Sequence, residues 1–426
     1  MKKIFLIVWL VMMIILSISV INFAEEVTLR FAWWGGQVRA ERTLKVIELF
    51  EEKYPNVKIE PEFLGWGEYW QKLSIQAAGK NLPDLIQQEV KYIGKYEEEG
   101  LLLNLSPYVE DNRLNLTDVD EIVFTMGTYN KKLYGVSLGG NAASFIYDPE
   151  LFKKAGVEEP TPDWTWEDFI EKSKKIHKAL GIYAGDFNDL MFNNIMGFSI
   201  YLRQHGAKLY DDSFKKLGYE DDSLFVNFFT MFVDLTKGGV IAPPEVSLEI
   251  NQSAFGDYLI TKKEGAMMTL SSNMNIALTM AAERPLSFAL FPNTKDQVQY
   301  GLYLRPSMYL VVAENCKYPE WAVKFIDFFT NDIEANKILL ADRGVPISSK
   351  VREGLIPYLG DLEIQTFDYL DLVAKHSSPF QYYFPPANDM VLDSLILIVG
   401  RMLYFEITPE KAAKEFRETT NKLLAE

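Results

Sequence analysis

The sequence predicts an α/β fold, in which strands and helices alternate along the chain and pack in layers. Residues 27–33 alternate apolar and polar side chains, which is the period of a strand with one buried face. Residues 39–54 then place apolar side chains at three- and four-residue spacing, which indicates an amphipathic helix that ends before Pro55. Residues 57–63 alternate again, so the chain after residue 26 begins with a strand, helix, strand unit.

The next segments extend this alternation. Residues 68–78 have a helical pattern, and residues 82–88 form a shorter and more apolar strand. Such a run is typical of a strand buried in a parallel sheet, where crossover connections are right-handed. Residues 132–147 are extended in character and are interrupted by Gly139 and Gly140. A chain that passes between two lobes would have this pattern.

The second half of the chain carries more helix. Thr165 and Asp168 have the spacing of a capping box, so a helix should begin there. The remaining predictions are a mostly helical segment over residues 187–232, a strand over 265–270, a second crossing over 303–312, a helix over 321–340, a third crossing marked by Gly344 and Pro346, and helices over most of the rest.

The first 24 residues have the pattern of a Sec-type secretory signal peptide. Lys2 and Lys3 precede an apolar stretch over residues 4–16, and small polar residues follow it. Cleavage is expected after Ala24, with Ser19 as the alternative position. An uncleaved anchor is the competing interpretation, because the apolar segment as a whole is about 20 residues long, enough to span a bilayer.

Length and composition narrow the class of protein. A chain of 426 residues predicts about two or three domains. The net charge is −16, and loss of Lys2 and Lys3 with the signal peptide makes it −18, which disfavours nucleic acid and anionic lipid as partners. Aromatic residues make up 14% of the chain and include eight tryptophans, side chains that suit carbohydrate sites as well as cores.

Cysteine and histidine are scarce. Cys316 is the single cysteine and lies far from the leader, so neither an intrachain disulfide nor lipid attachment after the signal peptide is expected. Three histidines and this cysteine give no metal-binding spacing, and no glycine loop suited to phosphate is found. The protein is therefore expected to be periplasmic or extracellular, not a lipoprotein, and to use neither metal nor cofactor.

A series of short segments carries a resemblance to a known family. The segments cover residues 28–33, 50–58, 82–85, 132–136, 145–148, 165–168, 265–268, 321–329 and 344–346. Each is weak alone, but their order and spacing resemble those of the extracellular solute-binding proteins of ABC sugar importers, family 1, the group that includes maltose-binding protein. The resemblance spans essentially the whole mature chain.

The resemblance implies the type II periplasmic-binding-protein fold, with two α/β lobes joined by crossing hinge segments and a ligand cleft between them. Lobe 1 would comprise residues 25–138 with 307–345, and lobe 2 residues 139–306 with 346–426. It also implies a monomer without enzymatic activity that captures a carbohydrate and delivers it to a membrane permease. An oligosaccharide is the expected ligand. In open α/β sheets ligands bind beyond the carboxyl ends of the strands, so residues just after predicted strands are candidates.

The aromatic candidates are Trp33, Trp34 and Trp66. Trp33 and Trp34 end the first strand, where one should face the core and the other the solvent or the cleft. Trp66 follows the second strand at the start of a helix. Trp70, one turn later, is interpreted as a packing residue.

The other candidates follow strands or lie in crossing segments. Amides and carboxylates suit sugar hydroxyls, because a hydroxyl is both donor and acceptor. Relatives commonly carry a tryptophan after the strand that here precedes Asn273, so one stacking platform is missing. Arg305 could hold a hydroxyl pair or a carboxylate, or could form a structural ion pair. Tyr383 is chosen from the aromatic run that includes Phe380. The full set is Gln88, Asn141, Asp186, Asn188, Asn273, Tyr303, Arg305 and Tyr383.

Three competing functions stay open. Residues 135–139 spell G-x-S-x-G with His376 downstream, as in α/β hydrolases, but no helix pattern follows the serine. A secreted glycoside hydrolase would use paired carboxylates, for which Glu89 and Asp186 are the candidates. The same fold could instead bind a peptide, a polyamine or a polyol phosphate.

Overall fold

The computed structural model describes residues 26–119, 123, 127–187, 196–250, 255–380 and 384–425. The predicted signal peptide, residues 1–24, lies outside the described residues. The strands are β1 (Val27–Trp34), β2 (Val57–Leu64), β3 (Leu85–Gln88), β4 (Thr128–Tyr129), β5 (Lys132–Leu133), β6 (Gly135–Ser137), β7 (Gly140–Tyr147), β8 (Tyr183–Asp186), β9 (Gly265–Ser271), β10 (Ser287–Ala289), β11 (Leu304–Pro306) and β12 (Tyr309–Val312).

Helices surround these strands. They are α1 (Gln37–Lys53), α2 (Trp66–Ala78), α3 (Val90–Glu98), α4 (Ser106–Glu110), α5 (Pro149–Ala155), α6 (Trp166–Leu180), α7 (Met196–Gln204), α8 (Ser223–Lys237), α9 (Pro244–Ile250), α10 (Asn275–Ala282), α11 (Pro319–Asn331), α12 (Ile333–Leu339), α13 (Ser349–Leu355), α14 (Asp361–Lys375), α15 (Asn388–Leu403) and α16 (Pro409–Ala425). None of the helices in the described ranges is long and apolar enough to cross a bilayer.

Two separate sheets form the framework. The first sheet has the order β2-β1-β3-β12-β6, and the second has the order β10-β7-β9-β8 with β11 paired to β7. Strands β1, β2 and β3 are parallel to one another, whereas β12 is antiparallel to both β3 and β6. The predicted α/β class is confirmed, and β3, the strand whose apolar run predicted burial in a parallel sheet, is fully buried and parallel to β1.

Aromatic side chains fill the core on the first sheet. Phe31 of β1 lies 5.5 Å from Phe325 of α11, and Phe50 of α1 lies 5.1 Å from the same ring, all measured between ring centroids. These three side chains are fully buried. Helix α11 therefore packs on β1, and α1 packs on α11, through edge-to-face rings, an arrangement that adds to the stabilisation from burial alone.

A second aromatic core lies on the second sheet. Phe145 of β7 contacts Trp164, Phe169, Phe187 and Phe291 at ring centroid distances of 5.0–5.7 Å. Helix α6 is fixed beside this core by the predicted capping box, in which the Thr165 hydroxyl and the Asp168 carboxylate satisfy each other's backbone N–H groups.

Three chain segments pass between the sheets, and they are hydrogen-bonded to one another. The amide N–H of Leu138 donates to the Met308 carbonyl at 2.9 Å, and the N–H of Ser307 donates to the Gly139 carbonyl at the same distance. The N–H of Gly140 donates to the Val345 carbonyl at 2.8 Å. We call these the crossing segments: residues 138–140, 306–309 and 344–345.

The crossing segments need glycine for two different reasons. A Cβ atom on Gly139 would lie 2.7 Å from the carbonyl oxygen of Arg343, closer than real Cβ contacts, so only glycine lets the backbones meet there. Gly344 has a φ of +102°, a conformation that other residues rarely adopt.

Two predicted helices differ from the structure. Residues 205–222 are turns with a short bridge between Tyr210 and Leu217, because the Asp211 carboxylate accepts backbone N–H groups of Lys215 and Lys216 that a helix would use. The helix predicted over 321–340 is two helices, α11 and α12. Asp332 breaks it with an extended ψ of 123°, and its carboxylate caps α12 at the N–H of Ala335.

Candidate functional site

The strand ends of the first sheet meet at one edge. Gln88 at the end of β3 lies opposite Tyr309 at the start of β12, and Tyr309 lies opposite Ser137 at the end of β6. Trp34 ends the parallel strand β1 at the same edge, where the Gln87 side-chain amide donates to its carbonyl oxygen at 3.2 Å. The crossing segments leave from this edge, so it is the candidate binding face.

An aromatic cluster, formed by Trp34, Trp66, Tyr69, Trp70 and Tyr92, covers this edge beyond β1. The Trp34 ring centroid lies 5.1 Å from Trp66, 5.4 Å from Tyr69 and 5.5 Å from Trp70, and Trp70 lies 4.3 Å from Tyr92. Trp66 keeps 51% of its surface exposed, whereas Trp34 keeps 8%. The cluster thus presents an exposed indole on a packed aromatic base, as stacking against a sugar ring requires.

Trp33 takes a different position from its neighbour. It is completely buried in the core, stacked on Phe63 at a ring centroid distance of 5.4 Å and 4.8 Å from Phe31. The expectation that it contacts ligand is therefore replaced by a packing role. The period of two along β1 sends its side chain to the core face and that of Trp34 to the aromatic cluster.

Gln88 lies at the end of β3 and is fully buried. Its Oε1 atom accepts the N–H of Glu89 at 3.1 Å, but its buried Nε2 atom has no hydrogen-bond partner among the described residues. A buried donor left unpaired costs free energy, so this amide is suited to receive an acceptor from a ligand.

Asn141 and Arg305 form a directly opposed pair between β7 and β11, next to the crossing segments. Both side chains are half-buried. In the described part of the chain the buried Asn141 Oδ1 atom has no hydrogen-bond donor, and Arg305 has neither an ion pair nor a side-chain hydrogen bond. The structural ion pair considered for Arg305 is therefore not found within these residues.

Tyr303 lies two residues before Arg305 and stacks on Phe380, with ring centroids 3.9 Å apart and planes inclined by 8°. The guanidinium of Arg203 lies 5.3 Å from the Tyr303 ring and 5.1 Å from the Phe380 ring. Burial raises the pKa of the Tyr303 phenol, while the nearby charges of Arg305 and Arg203 act in the opposite direction. The phenol stays neutral at physiological pH and lies in a positive environment.

The remaining predicted residues are less well placed for a common site. The Asp186 carboxylate ends β8 and accepts the Ser247 hydroxyl at 2.7 Å. Asn273 is exposed in a short 3-10 turn after β9. Asn188 and Tyr383 lie outside the described residues.

The hydrolase candidates are engaged in structural contacts. The Ser137 hydroxyl is buried in β6 and donates to the Gly139 carbonyl at 2.8 Å, and β7 rather than a helix follows it. The Glu89 carboxylate caps α3 by accepting the N–H of Lys91 at 2.6 Å. Both side chains are thus engaged with the backbone, Ser137 at a crossing segment and Glu89 at the start of α3.

Sequence reasoning missed two members of the aromatic cluster, Tyr69 and Tyr92, whereas the packing role expected of Trp70 agrees with its place in the base of the cluster. Tyr69 follows Trp66 by three residues in α2, a spacing that places both rings on one helix face. That spacing was the available signal. Tyr92 could not be found in this way, because α3 is brought to Trp70 by the tertiary fold.

A large cavity lies away from these residues. Its volume is about 720 Å³, and it is lined mainly by α6, α7, α8 and the segment 294–296. Its lining includes Lys174, Lys295, Asp234 and Glu410, so charges of both signs face it. None of its lining residues belongs to the crossing segments or to the aromatic cluster.

Known proteins resemble the chain in sequence and in structure. The profile of the family described as bacterial extracellular solute-binding protein matches residues 37–335. An arabinooligosaccharide-binding protein of Bacillus subtilis is 24% identical over 197 residues, which cover 45% of this chain and 44% of that protein. An uncharacterized ABC transporter extracellular-binding protein of Pyrococcus horikoshii is 27% identical over 164 residues, which cover 38% of this chain and 37% of that protein. The chain thus aligns with less than half the length of these two curated relatives.

The fold similarity extends over the whole of a solved structure. An extracellular solute-binding protein of family 1 from Alicyclobacillus acidocaldarius superposes with a TM-score of 0.84 at 30% identity, and the match covers 95% of this chain and 100% of that one. The two-lobed fold of type II binding proteins is thereby confirmed.

Proposed function

Since the chain belongs to the family of bacterial extracellular solute-binding proteins, we propose that it captures a saccharide between its two lobes and delivers it to an ABC transporter permease. The observation that carries this proposal is the aromatic cluster, with exposed Trp66 at the edge where the crossing segments leave the first sheet. An apolar ring face beside unpaired amide groups matches a sugar ring and its hydroxyls.

Polar groups on both sides of the crossing segments support a saccharide over an apolar solute. Gln88 offers an unpaired Nε2 donor from the first sheet, and Asn141 offers an unpaired Oδ1 acceptor from the second. Each hydroxyl of a sugar can serve either group. A ligand held by both sheets would stabilise the closed arrangement of the lobes, because the contacts are complete only when the lobes meet.

One of these relatives supports this ligand class. The curated protein of Bacillus subtilis is named for arabinooligosaccharides, and that of Pyrococcus horikoshii for an ABC transporter. We extend the binding of an oligosaccharide, without the identity of its sugar, and the service of an ABC transporter to this chain as part of the proposal. The protein would act as a monomer. It would not convert its ligand, because its task is to bind the ligand and release it to the permease.

Export and release complete the proposal. A Sec-type signal peptide over residues 1–24 would be removed, and the mature protein would stay free of lipid because Cys316 lies far from the cleavage site. Mass spectrometry of protein recovered from the periplasm or medium of an expression host checks this. Cleavage after Ala24 is expected, and a retained leader would overturn it.

Calorimetric titration of the mature protein with neutral and acidic oligosaccharides tests the function. Trp66→Ala should weaken binding of the best ligand tenfold or more, equivalent to about 1.4 kcal/mol. Tyr404→Ala is the matched control, since Tyr404 is an exposed aromatic at the end of α15. If the two variants bind the saccharide with equal affinity, the aromatic cluster does not contact the ligand. If the protein binds only peptides, polyamines or polyol phosphates, the saccharide proposal is overturned.

A further inference from the structure

Arg305 is exceptional among the arginines of this chain. Each of the other ten donates to a carboxylate, a side-chain oxygen or a backbone carbonyl in the described structure. These donors are Arg30, Arg39, Arg42, Arg113, Arg203, Arg284, Arg343, Arg352, Arg401 and Arg417. Arg305 is half-buried yet has no such acceptor within the described residues. A partly desolvated guanidinium without an acceptor is costly, so this placement points to an acceptor that arrives with a ligand.

The strand pairing fixes what stands beside this cation. Asn141 lies directly opposite Arg305, and opposed residues of an antiparallel pair project to the same face. Among the described residues, the buried Oδ1 atom of Asn141 has no hydrogen-bond donor. A ligand that satisfies both residues therefore offers an acceptor to Arg305 and a donor to Asn141, a few ångströms apart.

The chemistry of the guanidinium narrows that acceptor. Its planar fork matches a carboxylate through two parallel N–H···O hydrogen bonds, and such charge-assisted bonds are about twice as strong as neutral ones. A hydroxyl pair satisfies the geometry but not the charge. The uronate ring at the non-reducing end of a chain carries its C5 carboxylate next to a free C4 hydroxyl, so this one ring supplies the acceptor and the donor together.

The surroundings favour a single carboxylate over a phosphate. Phosphate sites require several cations or a helix N-terminus aimed at the ligand. Arg203, the other arginine near Tyr303, already donates to the carbonyl oxygens of Gly301, Ser378 and Pro379. Strands β7 and β11, rather than a helix N-terminus, present Arg305 and Asn141.

We propose that the ligand is an acidic oligosaccharide containing uronate residues, with Arg305 binding a carboxylate and Asn141 accepting the neighbouring hydroxyl. This inference rests on the proposed function, since it specifies the saccharide that the same site takes. The aromatic cluster would stack on a ring face, and Arg305 would select for charge.

Paired ligands test the inference without any variant. Calorimetric titration of the mature protein uses trisaccharides of galacturonate and of glucuronate, each beside its fully methyl-esterified form, which keeps the rings but removes the charge. At least one acid should bind thirty-fold or more tightly than its ester. An ester or a neutral arabinooligosaccharide that binds as tightly as the acids would overturn the inference and leave the proposed function standing. If no saccharide binds, both the inference and the proposed function are overturned.

Variants then assign the preference to Arg305. Arg305→Gln should lower affinity for the acid tenfold or more while affinity for the ester changes less than twofold, and Arg305→Lys should recover part of the loss. Arg113→Gln is the matched control, because Arg113 is an exposed arginine in surface ion pairs. An equal loss for acid and ester in Arg305→Gln would overturn the assignment. Thermal unfolding of each variant separates loss of binding from loss of fold.

Discussion

Lys91 Nζ lies 2.8 Å from Asp389 Oδ2, and this ion pair joins parts of the chain that belong to different sheets. Lys91 lies in α3, directly after β3 of the first sheet. Asp389 lies in the first turn of α15, which packs on α8 and α16 beside the second sheet. The pair thus connects the two lobes on the side of the candidate binding face, independently of the crossing segments.

Removal of this ion pair should shift the ligand-free protein toward a more open arrangement. Both side chains are largely exposed, and exposed pairs contribute about 0.2–1 kcal/mol, so the shift in the equilibrium is at most about fivefold. Asp389→Asn should raise the radius of gyration in small-angle X-ray scattering, as should about 1 M salt for the unmodified protein. Glu99→Gln is the control, because it removes an exposed ion pair at the end of α3 and should leave the radius of gyration unchanged.

The same pair has a defined pH window. The hydrogen bond from Lys91 lowers the pKa of the Asp389 carboxyl, and Asp389 raises the pKa of the Lys91 ammonium. The contribution is therefore complete between the ordinary values of 3.8 and 10.5, and is lost as pH falls through the lowered pKa of Asp389 or rises through the raised pKa of Lys91. NMR titration of the Asp389 carboxyl carbon should show the lowered pKa disappear in Lys91→Gln.

Trp33→Ala should destabilise the fold by about 3–5 kcal/mol, because it leaves a cavity beside Phe31 and Phe63 in the core. Urea unfolding followed by circular dichroism measures the change. Trp66→Ala is the control, since half of that side chain is exposed and its loss should cost far less stability. A small effect of Trp33→Ala on the free energy of unfolding would contradict the packing role.

Arg343→Met should lower the free energy of unfolding by about 3 kcal/mol, because removal of a buried donor leaves its acceptors unpaired. Arg343 donates to Gln87 Oε1 at 2.8 Å and to Thr43 Oγ1 at 2.9 Å. Arg42→Met removes a single bond, to the Leu339 carbonyl, and should cost less. Thermal unfolding compares the two variants, and an equal effect would argue against this network.

Gly139→Ala should lower ligand affinity tenfold or more and reduce stability, because its methyl group would collide with the Arg343 and Gly344 backbone where the crossing segments meet. Gly400→Ala is the control, since a Cβ atom there meets open space within α15. Titration calorimetry and thermal unfolding measure both quantities. Unchanged affinity in Gly139→Ala would show that this close approach is not needed for binding.

The sequence alone determined the local structure where one signal dominated. Alternation of apolar residues located β1 and β2, Thr165 and Asp168 located the start of α6, and paired glycines located the first crossing segment. These features depend on neighbouring residues only, so they can be deduced without the fold. The helix predicted over 187–232 failed where the Asp211 side chain competes for backbone N–H groups.

Which of the predicted residues share a site depends on packing between distant parts of the chain. Alternation required that Trp33 and Trp34 face opposite sides, but the packing of α11 and α2 on β1 decided which ring is core. The absence of a described partner for Arg305, and the meeting of Lys91 with Asp389, depend on segments far apart in the chain. Such pairings depend on how all elements of both lobes pack together, so a local sequence pattern does not predict them.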